Sequence, residues 1–319
     1  MKTTALNDGW QLHFPIEDRG YWQPHKPKSK WLQTTLPTHV HRDLTIHNVI
    51  QDPTIGMGDI GCAWVDEKEW RYGLTFDWSA DESLPHRVLK FEGLDTVCAV
   101  FLNDEEVASS NNMFLPLEVY VSDRLREGEN RLEVVLQPAQ DVGEVRRREN
   151  FEKEGLPWDT AIFDERAFVR KADYMFGWDW GPRLVSCGIW QPVSLVEHNG
   201  RIERFTVQTE PLADGSFRLW TETVGDVEFT VQFEDHEPVT GDLDNIVRDT
   251  NLWWPNGYGD QPIYYMLLRT ACGQEIKRRV GFRTIEIRRE RDEIGECFEF
   301  FVNGLPIYAV GANWIPGDS

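Results

Sequence analysis

The stretch VEFTVQF, residues 227–233, places Val227, Phe229, Val231 and Phe233 on one side of an extended chain and Glu228, Thr230 and Gln232 on the other. Successive side chains of a strand point to opposite faces, so this alternation predicts a strand with one buried and one wet face. RLEVVLQ (131–137), TVCAVFLN (96–103), IWQPVSLV (189–196) and IYYMLLRT (263–270) are apolar runs of strand length bounded by turn residues. Helical periodicity is scarce. EVRRRENFEKE (144–154) is charged nearly all round and is followed by Gly155-Leu156-Pro157, which predicts an exposed helix that stops there. Many strands with turn signals and few helices predict a mainly β chain built from antiparallel sandwiches.

A chain of 319 residues is long for one core, so more than one domain is expected. EHNGRIER (197–204) is a polar, glycine-containing link, which divides a first domain, 1–197, from a second, 198–290. The second holds about seven strand candidates, the count of an immunoglobulin-like sandwich. The charged run RRERDEIGE (288–296) leads into a third segment, 291–319. There Asn303-Gly304 between apolar runs predicts a two-residue hairpin, with a further strand over IYAVGANWI (307–315).

The net charge of −21 argues against a nucleic-acid partner, which needs clustered Lys and Arg, and against anionic membranes. The N-terminal MKTTALNDGWQLHF has no apolar leader, and no run of about 18 apolar residues occurs. Five scattered cysteines form no C-x-x-C pair, and no Asn-x-Ser/Thr sequon is present. These features predict a cytoplasmic protein with reduced thiols and no glycan. His13, His25, His39, His41 and His47 crowd the first fifty residues without the helical spacing of a zinc site, so satisfied imidazoles in turns, and neither metal nor cofactor, are expected.

FGWDWGP (176–182) sets Trp178 and Trp180 two apart around Asp179, then breaks the strand with Gly181-Pro182. An aromatic corner of a sandwich would read this way. So would a sugar site, because an indole face covers the C–H face of a pyranose and a carboxylate accepts from two hydroxyls. The 14 tryptophans suit either reading.

The longer run VRKADYMFGWDWGPRLVSCGIWQPVSLVEH (169–198) resembles the hallmark stretch of β-mannosidases, in the glycoside hydrolase family that also holds β-galactosidases and β-glucuronidases. WLQTTLPTHVHRDL (31–44), GLDTVCAVFLNDEEVASSNNMF (93–114), LWWPNGYGDQPIYYMLL (252–268), VGFRTIEIRRE (280–290) and FEFFVNGLPIYAVGANWIPGDS (298–319) resemble further segments of that family in its order. One departure is Asn103-Asp104 where many members have Asn-Gly. Asp tolerates left-handed geometry, so a turn is still expected.

The resemblance implies a jelly-roll (galactose-binding-like) sandwich, then an immunoglobulin-like sandwich, then the first strand of a (β/α)8 barrel. It implies retaining hydrolysis of terminal β-D-mannose, in which one carboxylic acid protonates the glycosidic oxygen and a second carboxylate attacks the anomeric carbon. Both glutamates come from later barrel strands in such enzymes, so no catalytic residue is expected here and the partner is the chain's own missing barrel. Glu152/Glu154 and Glu296/Glu299 read as solvated faces instead. The chain would orient a β-mannoside or manno-oligosaccharide: Asp179 accepting sugar hydroxyls, Trp178 walling the terminal subsite, Trp180 packing inward, and Asn313 and Trp314 at the end of the first barrel strand. Arg170 and Lys171 are expected to pair with Asp173 or Asp179, and Trp253 and Trp254 to anchor a turn. A related β-galactosidase, β-glucuronidase or exo-glucosaminidase activity, or a stand-alone carbohydrate-binding protein, are the competing readings.

Overall fold

The structure is a computed structural model that describes residues 1–14, 30–155, 164–178 and 181–314. It divides into two compact units, one over Lys2–Glu197 and the other over His198–Trp314 together with Met1. The chain is mainly β, and its paired strands run antiparallel.

In the first unit the elements are β1 (Lys2–Ala5), β2 (Trp10–His13), β3 (Trp31–Thr34), α1 (Val40–Ile46), α2 (Gly58–Gly61), β4 (Trp70–Trp78), β5 (His86–Phe91), β6 (Cys98–Leu102), β7 (Glu105–Ser110), β8 (Leu117–Tyr120), β9 (Gly128–Leu136), α3 (Ala139–Glu154) and β10 (Val193–His198). They form a six-stranded sheet, β3-β2-β4-β9-β6-β7, and a four-stranded sheet, β1-β10-β5-β8. Alternation decides which faces meet. Along β4, Trp70, Tyr72 and Leu74 are buried while Arg71 and Thr75 are exposed. They join Trp10, Leu12, Phe91, Leu132 and Val134 in one core. Burial of each such large side chain stabilises by about 1.5–3 kcal/mol.

The second unit holds β11 (Ile202–Pro211), β12 (Phe217–Gly225), β13 (Phe229–Phe233), β14 (Val239–Thr240), β15 (Asp244–Val247), β16 (Tyr264–Thr270) and β17 (Glu275–Val280). These seven strands make sheets β11-β12-β15 and β14-β13-β16-β17, the two-sheet arrangement of an immunoglobulin-like sandwich. Val231 and Phe233 of VEFTVQF are buried as their period requires, beside Leu219, Met266 and Phe282. Phe282 has its ring 5.2 Å from those of Phe217 and Tyr264. A three-stranded sheet, β18 (Ile285–Arg288), β19 (Glu299–Val302) and β20 (Leu305–Ile307), follows.

Both anticipated tight turns form with positive φ at each central residue: Asn103 at 53° and Asp104 at 71°, Asn303 at 50° and Gly304 at 79°. That geometry matches the right-handed twist of the strands it joins.

Four expectations need correction. The helix expected over 144–154 begins at Ala139. Gly143, which lowers helix propensity, is required inside it because a Cβ there would stand 2.5 Å from Glu165 O. IWQPVSLV pairs only from Val193, since Pro192 has no N–H to donate and Ile189 O instead accepts from Thr38 N–H at 2.9 Å. No strand forms over 308–314: Tyr308, Val310 and Trp314 are 79%, 85% and 89% exposed, no strand among the described residues pairs with them, and Tyr308 N–H donates instead to Tyr258 OH at 2.9 Å. His25 lies outside the described residues. His47 Nε2 meets Gln33 O at 2.8 Å, but buried His41 Nε2 has no hydrogen-bond partner among the described residues, so not every imidazole is satisfied.

The five cysteines are free. Burial pushes the Cys62 and Cys98 thiols up to about 12, which keeps them protonated. No helix among the described residues is long and apolar enough to cross a membrane.

Candidate functional site

The FGWDWGP segment leaves the first unit as a loop whose two limbs are tied to each other. A short 3-10 turn, Asp173–Phe176, ends at Gly177, whose φ of 86° only glycine adopts readily. Space adds a second requirement, since a Cβ at Gly177 would lie 3.0 Å from Arg183 Cβ. Leu184 N–H donates to Met175 O at 3.0 Å. Trp178 N–H donates to Gly181 O at 3.2 Å and Gly181 N–H returns to Trp178 O at 3.3 Å. The two intervening positions, Asp179 and Trp180, lie outside the described residues, and so do the roles expected of them.

Two small apolar clusters hold the base: Met113, Ala172 and Met175, and Ala139, Val169, Phe176 and Val185. Trp178 is not among them. Its side chain is 60% exposed, with the Arg166 guanidinium carbon 5.9 Å from the ring centroid.

Beneath the returning limb, residues 183–186, lies a buried polar network drawn from distant segments. Arg183 Nη1 donates to Asp66 Oδ2 at 2.9 Å. Lys171, fully buried, donates through Nζ to Asp95 Oδ2 at 2.5 Å and to Ser186 O at 2.6 Å. Ser186 Oγ lies 2.9 Å from His41 Nδ1 and 3.1 Å from His39 Nδ1. Behind them Asp43 accepts from Thr34 Oγ1 (2.6 Å), Thr38 Oγ1 (2.7 Å) and Tyr72 OH (2.8 Å). Segments 31–44, 93–114 and 169–198 thus meet at one place.

Burial sets the charge states. It pushes the His41 imidazole down to about 3, helped by His39 and Lys171, so the ring is neutral near pH 7. While Nδ1 shares a hydrogen bond with Ser186 Oγ, the other ring nitrogen, Nε2, lies 3.6 Å from Asp66 Oδ1. That distance is too long for a hydrogen bond, and neither atom has another partner among the described residues. Burial also raises the Asp66 carboxyl to about 6, against the opposing pull of Arg183.

Of the cations expected to face Asp173 or Asp179, Lys171 is committed to Asp95 instead. Arg170 accepts through its backbone from Met113 N–H at 3.0 Å, and its expected pairing with Asp179 lies outside the described residues. Asp66 and Arg183 were not anticipated as a pair. Their separation of 117 residues leaves no local trace, although Asp66 in AWVDEKEW is a carboxylate set among residues that bury. Asn313 and Trp314 are exposed and belong to the second unit, whereas Trp178 belongs to the first. Trp253 and Trp254 anchor a turn as expected: Trp253 N–H donates to Phe282 O and Trp254 N–H to Asp260 O. Glu152 and Glu154 stand exposed on α3, and Glu296 pairs with Arg289 at 2.6 Å. No group of three or more His, Cys, Asp or Glu among the described residues could hold a metal ion.

Residues 22–191 match the family model described as glycosyl hydrolase 2 galactose-binding domain-like. The chain belongs to the glycosyl hydrolase 2 family. This glycosyl hydrolase 2 chain is 32% identical over 343 residues to Beta-mannosidase B of Emericella nidulans, covering 99% of the chain and 39% of that relative. Against Beta-mannosidase B of Thermothelomyces thermophilus the identity is 32% over 321 residues, covering 93% and 37%. Among solved structures, a β-D-mannosidase from Dictyoglomus thermophilum superposes with a TM-score of 0.83 at 29% identity, covering 99% of this chain and 40% of that one. A β-glucuronidase from an uncultured Clostridium sp., at 21% identity and a TM-score of 0.59, shares the fold. The glycosyl hydrolase 2 chain therefore spans about two-fifths of the length of the relatives it matches.

Proposed function

We propose that this chain is the substrate-orienting part of a retaining exo-β-mannosidase, acting on terminal non-reducing β-D-mannose, and that it works in the cytoplasm. The observation that carries the reading is identity of 32% to Beta-mannosidase B over 99% of the chain. Trp178 supports it, as an exposed indole on a loop held at both limbs. In this reading Trp178 forms a wall of the terminal-sugar subsite and Asp179 accepts two sugar hydroxyls. Asn313 and Trp314 are read as further substrate-binding residues, on the second unit. The acid and the nucleophile would come from the remaining length that the relatives possess.

The test is expression of the complete coding frame that contains these residues, alongside the 319-residue chain, in a host lacking β-mannosidase. The complete product is expected to hydrolyse aryl β-D-mannosides in preference to β-D-galactosides and β-D-glucuronides, and the 319-residue chain to be silent. Preference for another glycoside would move the reading to a different activity of the family. Turnover by the short chain would place catalytic carboxylates within it.

A further inference from the structure

The ties between the two limbs of the FGWDWGP loop fix its shape but not where it points. Leu184 N–H bonds Met175 O, and Trp178 and Gly181 bond each other, all within 175–184. A group outside that segment has to set the direction. Among the described residues, Arg183 is the residue of the returning limb nearest Trp178 whose side chain bonds another segment.

Arg183 meets both limbs at once. Gly177 immediately precedes Trp178, and a Cβ on it would stand 3.0 Å from Arg183 Cβ and 3.2 Å from Arg183 Cα, so the outgoing limb rests on the Arg183 stem. The guanidinium then reaches inward, Nη1 donating to Asp66 Oδ2 at 2.9 Å. The Arg183 side chain is 40% exposed and that of Asp66 only 1%, so the pair runs from the surface to a fixed point inside. Asp66 belongs to the 3-10 turn Ala63–Glu67, whose Trp64 and Val65 lie in the main core. Val65 O also accepts from the buried Trp70 indole N–H at 2.9 Å. The anchor is firm.

We propose that Arg183, held by Asp66, is a positioning residue that sets where the Trp178 indole stands and, through it, how a terminal sugar is held for hydrolysis. It rests on the reading of Trp178 as a subsite wall and gives Arg183 no contact with the sugar. A misplacement of about 1 Å in such an arrangement costs on the order of a hundredfold in rate.

Two measurements test it. In the 319-residue chain, with no substrate, the heteronuclear NOE of the assigned Trp178 indole N–H reports how firmly the ring is held. Arg183→Met and Asp66→Asn should each lower it. In the complete enzyme each should raise KM at least about threefold and lower kcat/KM about tenfold or more, on whichever glycoside the parent hydrolyses. Loss of folded protein alone would lower the apparent kcat and leave KM unchanged. The double variant should lose no more than the worse single one, because the two groups act as a unit. Arg183→Lys keeps a cation beside Asp66 without the guanidinium fork and should fall between the parent and Arg183→Met. It carries the test if Arg183→Met does not fold.

Parental NOE and KM in Arg183→Met, or in Arg183→Lys where Arg183→Met is unfolded, overturn the proposal, as do losses that multiply in the double variant. A lowered NOE with a parental KM overturns it together with the reading of Trp178. Effects of the expected size on a glycoside other than a β-mannoside uphold it and overturn only the mannoside reading.

Discussion

Arg183 Nη1 sits 2.9 Å from Asp66 Oδ2, and the same carboxylate lies 3.6 Å from His41 Nε2 through its other oxygen. One acidic side chain, from the short turn Ala63–Glu67, therefore faces both the returning limb of the Trp178 loop and the first turn of α1. Loop position and protonation are coupled through it.

That coupling predicts a pH profile. The His41 pKa is lowered on folding from 6.5 to about 3, so the unfolded chain takes up a proton first. Its neutral form contributes fully above about pH 6.5, and this contribution is lost as pH falls toward 3. Asp66 runs the other way: its pKa rises from 3.8 to about 6, so its contribution is full below about pH 3.8 and lost as pH rises through 6. The two contributions oppose one another between pH 6.5 and 4. Relative to the parent, His41→Asn should make the change in melting temperature of the first unit on acidification more favourable, and Asp66→Asn should make it less favourable. Calorimetry across the range checks both; equal slopes in all three proteins would break the assignment.

Lys171→Met should destabilise the first unit by about 3–5 kcal/mol, because it strands the buried Asp95 carboxylate and the Ser186 carbonyl. Adding Asp95→Asn should recover part of the loss. Urea unfolding measures each, and two losses that simply add would show that the pair is not coupled.

Trp178→Ala should separate stability from function. The ring is mostly exposed, so unfolding free energy should change by no more than about 0.5 kcal/mol. In the complete enzyme, Asp179→Ala should lose a charge-assisted hydrogen bond worth about 1.5–3 kcal/mol, which lowers kcat/KM by about tenfold to a hundredfold. Trp178→Ala should lower it as well. A fall of less than about threefold in both, with the fold intact, would make the loop structural.

Limited proteolysis of the 319-residue chain should cut first within 308–314, where Tyr308 and Val310 stand exposed and no strand pairs. Strands β19 and β20, joined through Asn303-Gly304, should resist longer. Mass spectrometry of the early fragments decides, and cleavage inside β16 before 308–314 would contradict it.

Local chemistry was legible in the sequence and remote pairing was not. Asn303-Gly304 announces its hairpin because left-handed backbone is a property of those two residues. Val231 and Phe233 announce their face because period two needs only neighbours. Lys171 offers nothing comparable. Its nearest acids in sequence suggested a short-range pair, whereas burial selected Asp95, 76 residues away. The start of α3 was hidden for a related reason: Gly143 reads as a breaker until Glu165 is seen against it. Trp178 lay between both cases, named by its motif and placed at the surface by the loop.

Strand β1 pairs with β10, Lys2 opposite Glu197, and Lys2 Nζ reaches Glu197 Oε2 at 3.0 Å. The first strand of the unit therefore waits for the last. At about 5–20 residues per second, roughly ten to forty seconds of synthesis separate the two. Through that interval the edge of β5 that later receives β10 is open, and the four-stranded sheet closes only when residues 193–198 emerge. Closure is thus a late, long-range event in the life of the chain, and the timing of translation through its final strand sets when the unit becomes safe from aggregation.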